Sequence, residues 1–246
     1  MRALRQLLVA LALAVSAAGA ALADCTPVDW LAKPLPASAD PVKTALETAY
    51  PGARLDRAAG VFVTPGGEAV AFAPARDVPP AERLIGATIG DQFFYSYPLD
   101  FSLAQRRAPF HDPGRLRNDA FFRALYADSA AAVRATLNTV SYEGPHQTTR
   151  FNVTTKHCVH EQLGAALAQI MMLGADFDIY FKNSGGSFNW RTIAGTNRLS
   201  VHSFGIAVDL NTELGGYWRW SGAAQGEAAD YDNRIPEDIV RAFERW

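Results

Sequence analysis

Ser200-Val201-His202-Ser203-Phe204-Gly205-Ile206-Ala207-Val208-Asp209-Leu210-Asn211 is the stretch on which the reading of this 246-residue chain turns. From Gly205 onward Ile206, Val208 and Leu210 alternate with Ala207, Asp209 and Asn211, the pattern of a strand with one apolar face and one small or polar face. Asp209 therefore emerges on the face that Ala207 leaves uncrowded. His202 precedes Gly205, where the backbone is free to bend, so its imidazole can turn back toward that carboxylate. One nitrogen and one oxygen donor beside a small residue suit Zn2+ with an open position. The plain alternative is a loop histidine and a strand-surface carboxylate with no shared task.

Working outward, the segment fits Ser-x-His-x-x-Gly-x-Ala-x-Asp at every fixed position, and Gly185-Gly186-Ser187-Phe188-Asn189-Trp190-Arg191-Thr192-Ile193 precedes it. In both respects the chain resembles the zinc peptidases of the D-alanyl-D-alanine carboxypeptidase type, the VanY-like and L-alanyl-D-glutamate peptidase family of bacterial walls. The resemblance implies that His202 and Asp209 are zinc ligands, that Arg191 holds a substrate carboxylate or carbonyl, and that Ser200 sits beside the substrate. It also implies an α+β fold, a small, mostly antiparallel sheet flanked by helices. The implied activity is cleavage of peptidoglycan peptides next to D-amino acids, as a D-alanyl-D-alanine carboxypeptidase or an L-alanyl-D-glutamate endopeptidase. A guanidinium suits bidentate carboxylate recognition, so Arg191 is chemically apt, although a plain surface charge is its ordinary reading.

The family's third ligand is a histidine, with an acidic general base three positions before it, on a segment that follows a helix like Ile235 to Glu244. No histidine follows His202 in this sequence. The expectation is a domain lacking its C-terminal part, with a non-catalytic peptidoglycan-binding pseudoenzyme as the rival. His157, His160 and Glu161 form the densest other donor group, but His160-Glu161-Gln162-Leu163-Gly164 lacks a second histidine four residues on. The polar first turn of a helix is the simpler account of them, and His160 as a substitute ligand is the idea to test.

The rest of the chain is read from pattern. Pro41 to Ala49 is a helix with proline in its first turn, and residues 61–64 and 69–72 around Pro65-Gly66-Gly67-Glu68 form a hairpin. Pro79-Pro80 marks a boundary, so residues 24–90 are an N-terminal subdomain without a usable motif and 91–246 the peptidase-like domain. One helix is expected over Asn118 to Val140 and another from about Cys158 to Leu173, stopped by Gly174, with Phe177 to Phe181 strand-like. Asp112-Pro113-Gly114-Arg115-Leu116-Arg117 reads as a surface turn whose arginines are either simply solvated or guide an acidic peptide. Tyr217-Trp218-Arg219-Trp220 reads as core aromatics or as a platform for glycan rings.

Composition sets the outer bounds. The formal net charge of −2 and a pI near 6.2 leave no basic excess for tracking phosphates, which excludes a general nucleic-acid binder. Arg2 and Arg5 precede the apolar run Leu7 to Ala23, which ends in small residues and is shorter than the roughly 20 residues that span a bilayer. Residues 1–23 thus read as an export signal, and the mature protein as an exported, periplasmic or extracellular monomer without stable membrane insertion. In an exported chain the two cysteines, Cys25 and Cys158, favour a disulfide, with Cys158 as a nucleophile between His157 and His160 the competitor.

Overall fold

The computed structural model describes residues 25–99, 109–110, 113–194, 196–217, 220, 222, 224, 226–227 and 232–246. The export-signal reading of residues 1–23 lies outside them, as do His111, Asp112, Trp218 and Arg219. The fold is a small α+β arrangement of antiparallel sheets flanked by helices. Among the described residues no helix is long and apolar enough to cross a membrane.

Helix α1 (Pro41–Ala49) forms as its proline start predicts, and the Asp40 carboxylate caps it by accepting from the Lys43 amide at 3.0 Å. The hairpin is present as β2 (Val61–Val63) and β3 (Ala69–Ala71), and β1 (Arg54–Asp56) pairs on the other side of β2. A four-residue helix, α2 (Pro80–Arg83), follows the proline pair. Leu46, Phe62 and Ile89 from this part share one buried cluster with Phe121, Leu199 and Phe204.

The single helix expected over Asn118 to Val140 is instead three elements. Helix α3 (Asp119–Leu125) is capped by Asn118, helix α4 (Ala130–Arg134) by Ser129, and strand β4 (Leu137–Glu143) follows. Asp128-Ser129 ends one helical run and starts the next, because serine satisfies the Ala132 amide at 3.3 Å. Beyond it, Thr139, Val140 and Tyr142 belong to a strand that pairs with β5 (Thr148–Thr154) in the register Leu137↔Thr154 to Glu143↔Thr148. Tyr142 is fully buried, with its ring stacked on Phe181 at 3.7 Å between centroids.

Helix α5 (Val159–Met171) covers this hairpin as its spacing predicts, burying Leu163, Leu167 and Ile170 in a second cluster with Tyr142 and Phe151. The strand expected at Phe177 to Phe181 is a 3-10 helix, Ala175–Phe181. Its turn is held by Asp178, which accepts from the Tyr142 hydroxyl at 2.7 Å and from the His146 amide at 2.6 Å. Helix α6 (Glu237–Arg245) packs on α5, adding Ile239 and Ala242 to the same cluster.

Cys25 and Cys158 are disulfide-bonded, closing a separation of 133 residues and removing Cys158 as a free nucleophile. The bond fixes the start of the described chain to the turn before α5. From there the Trp30 amide donates to the Arg245 carbonyl at 2.7 Å, and the Arg245 guanidinium pairs with Asp29 at 2.8 Å.

Candidate functional site

Strand β6 (Ser184–Gly186) and strand β7 (Asp209–Asn211) form a two-stranded antiparallel ladder with Gly186 opposite Asp209 and Ser184 opposite Asn211. The strand expected from Gly205 is therefore shorter, and its cause lies at Gly205. That residue has φ of 69°, and a side chain there would meet Leu137 at 2.8 Å. Its carbonyl accepts from the Thr154 amide at 2.9 Å, so the chain is tied to the end of β5 before it can join β6. Ile206 then packs on the first buried cluster, whereas Val208 and Leu210 pack on the second. The motif thus crosses between two cores, which hold it from both sides.

His202 lies in a single 3-10 turn, Val201–Phe204, and is 8 % exposed. Its Nδ1 is 2.7 Å from the Ser187 carbonyl, an acceptor, which places a proton on Nδ1 and aims Nε2 outward. Nε2 is 3.4 Å from Asp209 Oδ2. That separation is about the edge of a tetrahedron with ligand bonds of roughly 2.0–2.2 Å, so the two atoms fit two corners of a zinc site. A proton shared on that edge also accounts for the electrostatics. The Asp209 carboxylate raises the His202 pKa against the opposing effect of burial, with the Ser187 carbonyl assisting and Arg191 opposing. His202 in turn lowers the Asp209 pKa, again against burial, with Arg191 assisting.

Several residues outside the expected set build this geometry. Ser203, fully buried, accepts from the Arg191 amide at 3.0 Å and donates to the Arg191 carbonyl at 3.0 Å. The Ser200 amide donates to the same carbonyl at 2.9 Å, and Thr192 bridges to Leu199, so Arg191 and Ser200 sit side by side on a small antiparallel turn. The Ser184 hydroxyl donates to the Asp209 carbonyl at 2.6 Å. Gly185 leaves room for the carboxylate, since a Cβ there would lie 2.7 Å from Asp209 Cβ. The run of small residues Ser184-Gly185-Gly186-Ser187 was the available signal for this platform.

Arg191, Ser200, His202 and Asp209 all line one open cleft of about 730 Å3. Ser200 is buried, Arg191 is exposed, and the side chain of Asp209 is half-exposed. Arg115 and Arg117 line the same cleft, as do Tyr217 and Trp220. His160 does not line it; its Nε2 is 3.3 Å from Glu161 instead, which removes it as a substitute ligand. Among the described residues no group of three His, Cys, Asp or Glu side chains gathers to hold a metal. The arrangement is an imidazole and a carboxylate in contact, with the Arg191 guanidinium lining the same cleft.

Residues 194–246 match the family model described as D-alanyl-D-alanine carboxypeptidase. The matched part contains Ser200, His202 and Asp209, and Arg191 lies three residues before it. No curated protein and no solved structure matches the chain. The likeness to the carboxypeptidase model is thus confined to the C-terminal 53 residues, which include β7 and α6.

Proposed function

We propose that this protein is an exported, zinc-dependent peptidase that cleaves peptidoglycan peptides next to D-amino acids, as a D-alanyl-D-alanine carboxypeptidase. The observation that carries the reading is the convergence of Arg191, Ser200, His202 and Asp209 on one cleft, with His202 Nε2 and Asp209 Oδ2 one tetrahedral edge apart. The partial match to the carboxypeptidase model supports the substrate class.

In this reading His202 and Asp209 hold the metal. When bound, zinc supplies Lewis acidity toward a peptide carbonyl and makes hydroxide available near neutral pH. The chain's own groups do the rest. The Ser187 carbonyl keeps the Nδ1 proton in place, so that Nε2 presents its lone pair. Arg191, fixed at its backbone by Ser203, receives the substrate's terminal carboxylate through its planar fork of donors. Ser200 shapes the floor beside it. The cysteine bond and the basic, apolar N-terminal stretch fit an oxidising compartment outside the cytoplasm.

A second reading rests on a specific observation: only two donors meet among the described residues. It makes the protein a peptidoglycan-binding pseudoenzyme that keeps the cleft without the chemistry. One experiment separates the two. Zinc content and D-alanine release from a pentapeptide ending in D-Ala-D-Ala are measured for the wild type and for His202→Ala. The peptidase reading expects one zinc and release of D-alanine, both lost in the variant. Normal release in His202→Ala overturns the zinc assignment, and peptide binding unaffected by EDTA without any release establishes the pseudoenzyme.

A further inference from the structure

The aromatic run after β7 has no task in the zinc reading. Trp220 is 65 % exposed, so it is not a core residue, and it lines the cleft that holds Arg191, His202 and Asp209. Its ring stands at 87° to that of Tyr217 with 5.6 Å between centroids, an edge contact that leaves the indole largely open. Flat apolar surface left in water is unfavourable, and such surface rimmed by polar groups marks a place where a ligand is received.

Trp220 is held by backbone contacts rather than by burial. Its amide donates to the Tyr217 carbonyl at 2.9 Å, and the Arg234 amide donates to the Leu214 carbonyl at 2.8 Å. The Arg234 guanidinium adds a bond to the Glu213 carbonyl at 2.8 Å. Gly216 has φ of 62°, and a Cβ there would collide with the Asp232 carbonyl, so the loop after β7 sits directly on the segment before α6. That segment brings Asn233 to the same cleft as Trp220, and the exposed Thr212 lines it too. The Asn233 side-chain oxygen accepts from the Ile235 amide at 3.0 Å, which fixes the amide plane and presents its NH2 group as the donor.

An open indole in one cleft with an amide and a hydroxyl matches a pyranose ring, whose C–H face is apolar and whose edge carries hydroxyls. An apolar side chain would use the indole alone and leave the polar groups unpaired. We propose that Trp220 is a specificity-determining residue, the stacking platform of a sugar subsite in this cleft. The substrate class is then a peptide still joined to the wall glycan rather than a free peptide. Arg191 receives the carboxylate that ends the peptide, and Trp220 receives a sugar ring joined to the peptide's other end. The proposal rests on the peptide-cleft reading of the site, in its catalytic or its non-catalytic form.

The test uses the whole chain, EDTA-treated so that nothing is cleaved, and two ligands that end in D-Ala-D-Ala. One is an N-acetylmuramyl-pentapeptide, and the other is the same pentapeptide with a plain acetyl group in place of the sugar. Kd is measured by calorimetry. The sugar-bearing peptide should bind the wild type about tenfold more tightly. In Trp220→Ala this preference should vanish while the Kd of the sugar-free peptide stays unchanged, and Trp220→Phe should keep part of the preference. Equal binding of the two ligands by the wild type overturns the sugar subsite and leaves the cleft reading standing. A preference that survives in Trp220→Ala also overturns it, as does a Trp220→Ala variant that weakens both ligands alike, because the indole then touches the peptide. Binding of neither ligand overturns both the subsite and the cleft reading.

Discussion

Asp91 and Asp209 are both aspartates beside a cation, and they have opposite fates. Asp91 is fully buried and saturated: its oxygens accept from the Arg76 and Thr88 amides and from the guanidiniums of Arg76 and Arg83, at 2.6–3.1 Å. Burial pushes its pKa up, and the Arg76 and Thr88 amides with the Arg76 guanidinium more than reverse this. Asp209 meets His202 on one side and leaves its side chain 48 % exposed to a cleft. A carboxylate with every lone pair engaged holds a fold together, whereas one with capacity left over is available to a ligand.

The largest expected effect breaks the first member of this pair. Asp91→Ala leaves the Arg83 side chain, 4 % exposed, as an uncompensated buried charge, and should cost about 3–5 kcal/mol of stability by urea unfolding. Asp209→Ala should cost less than about 1 kcal/mol, because its carboxylate is half in solvent. Equal losses would remove the distinction between a structural and an available carboxylate.

A smaller effect sharpens the second member. In Gly185→Ala the new Cβ would lie 2.7 Å from Asp209 Cβ and 2.9 Å from Thr212 Cγ2, so the strand carrying Asp209 must shift. Zinc affinity should fall by about 10–100-fold, the usual cost of disturbing a ligand's support. Gly186→Ala is the contrast, since its Cβ would meet nothing within 4 Å and only its φ of 99° is strained. It should lower stability more than zinc affinity. Equal zinc affinity in Gly185→Ala and the wild type would mean that the platform does not position Asp209.

What could be read from the sequence follows the range of the interactions involved. Helices α1 and α5 declared themselves through local spacing and breakers, Pro41 at one start and Gly174 after one end. The segment from Asn118 to Val140 misled because its apolar spacing suits a helix, while the pairing of β4 with β5 depends on residues up to 17 positions away. The 3-10 turn at Asp178 likewise depends on Tyr142, which lies 36 residues earlier. At the site, His202 and Asp209 were legible because one loop and one strand carry both. Ser203 was not, since its part is set by the distant Arg191 backbone, and Gly185 showed only as one member of a run of small residues whose fit against Asp209 depends on the ladder. Arg115 and Arg117 showed only as a basic turn, and their place in the cleft rests on tertiary packing.

The smallest expected effect concerns the protons shared by His202 and Asp209 in metal-free protein. His202 is raised from its ordinary value of 6.5, so its contribution is fully present below that value and is lost as pH rises through the folded pKa. Asp209 is lowered from 3.8, so its contribution is present above that value and is lost as pH falls through the folded pKa. The pair therefore supports the fold most between about pH 4 and 6.5, and the support fades on both sides. An NMR titration of EDTA-treated protein should find His202 titrating above 6.5 in the wild type and moving down in Asp209→Asn. The same substitution should flatten the excess stability across that window, by less than about 1 kcal/mol because the Asp209 carboxylate is half-exposed. A His202 pKa unmoved by Asp209→Asn would show that the 3.4 Å contact carries no charge coupling. Asp209 would then stand as a cleft-lining carboxylate with no electrostatic tie to His202.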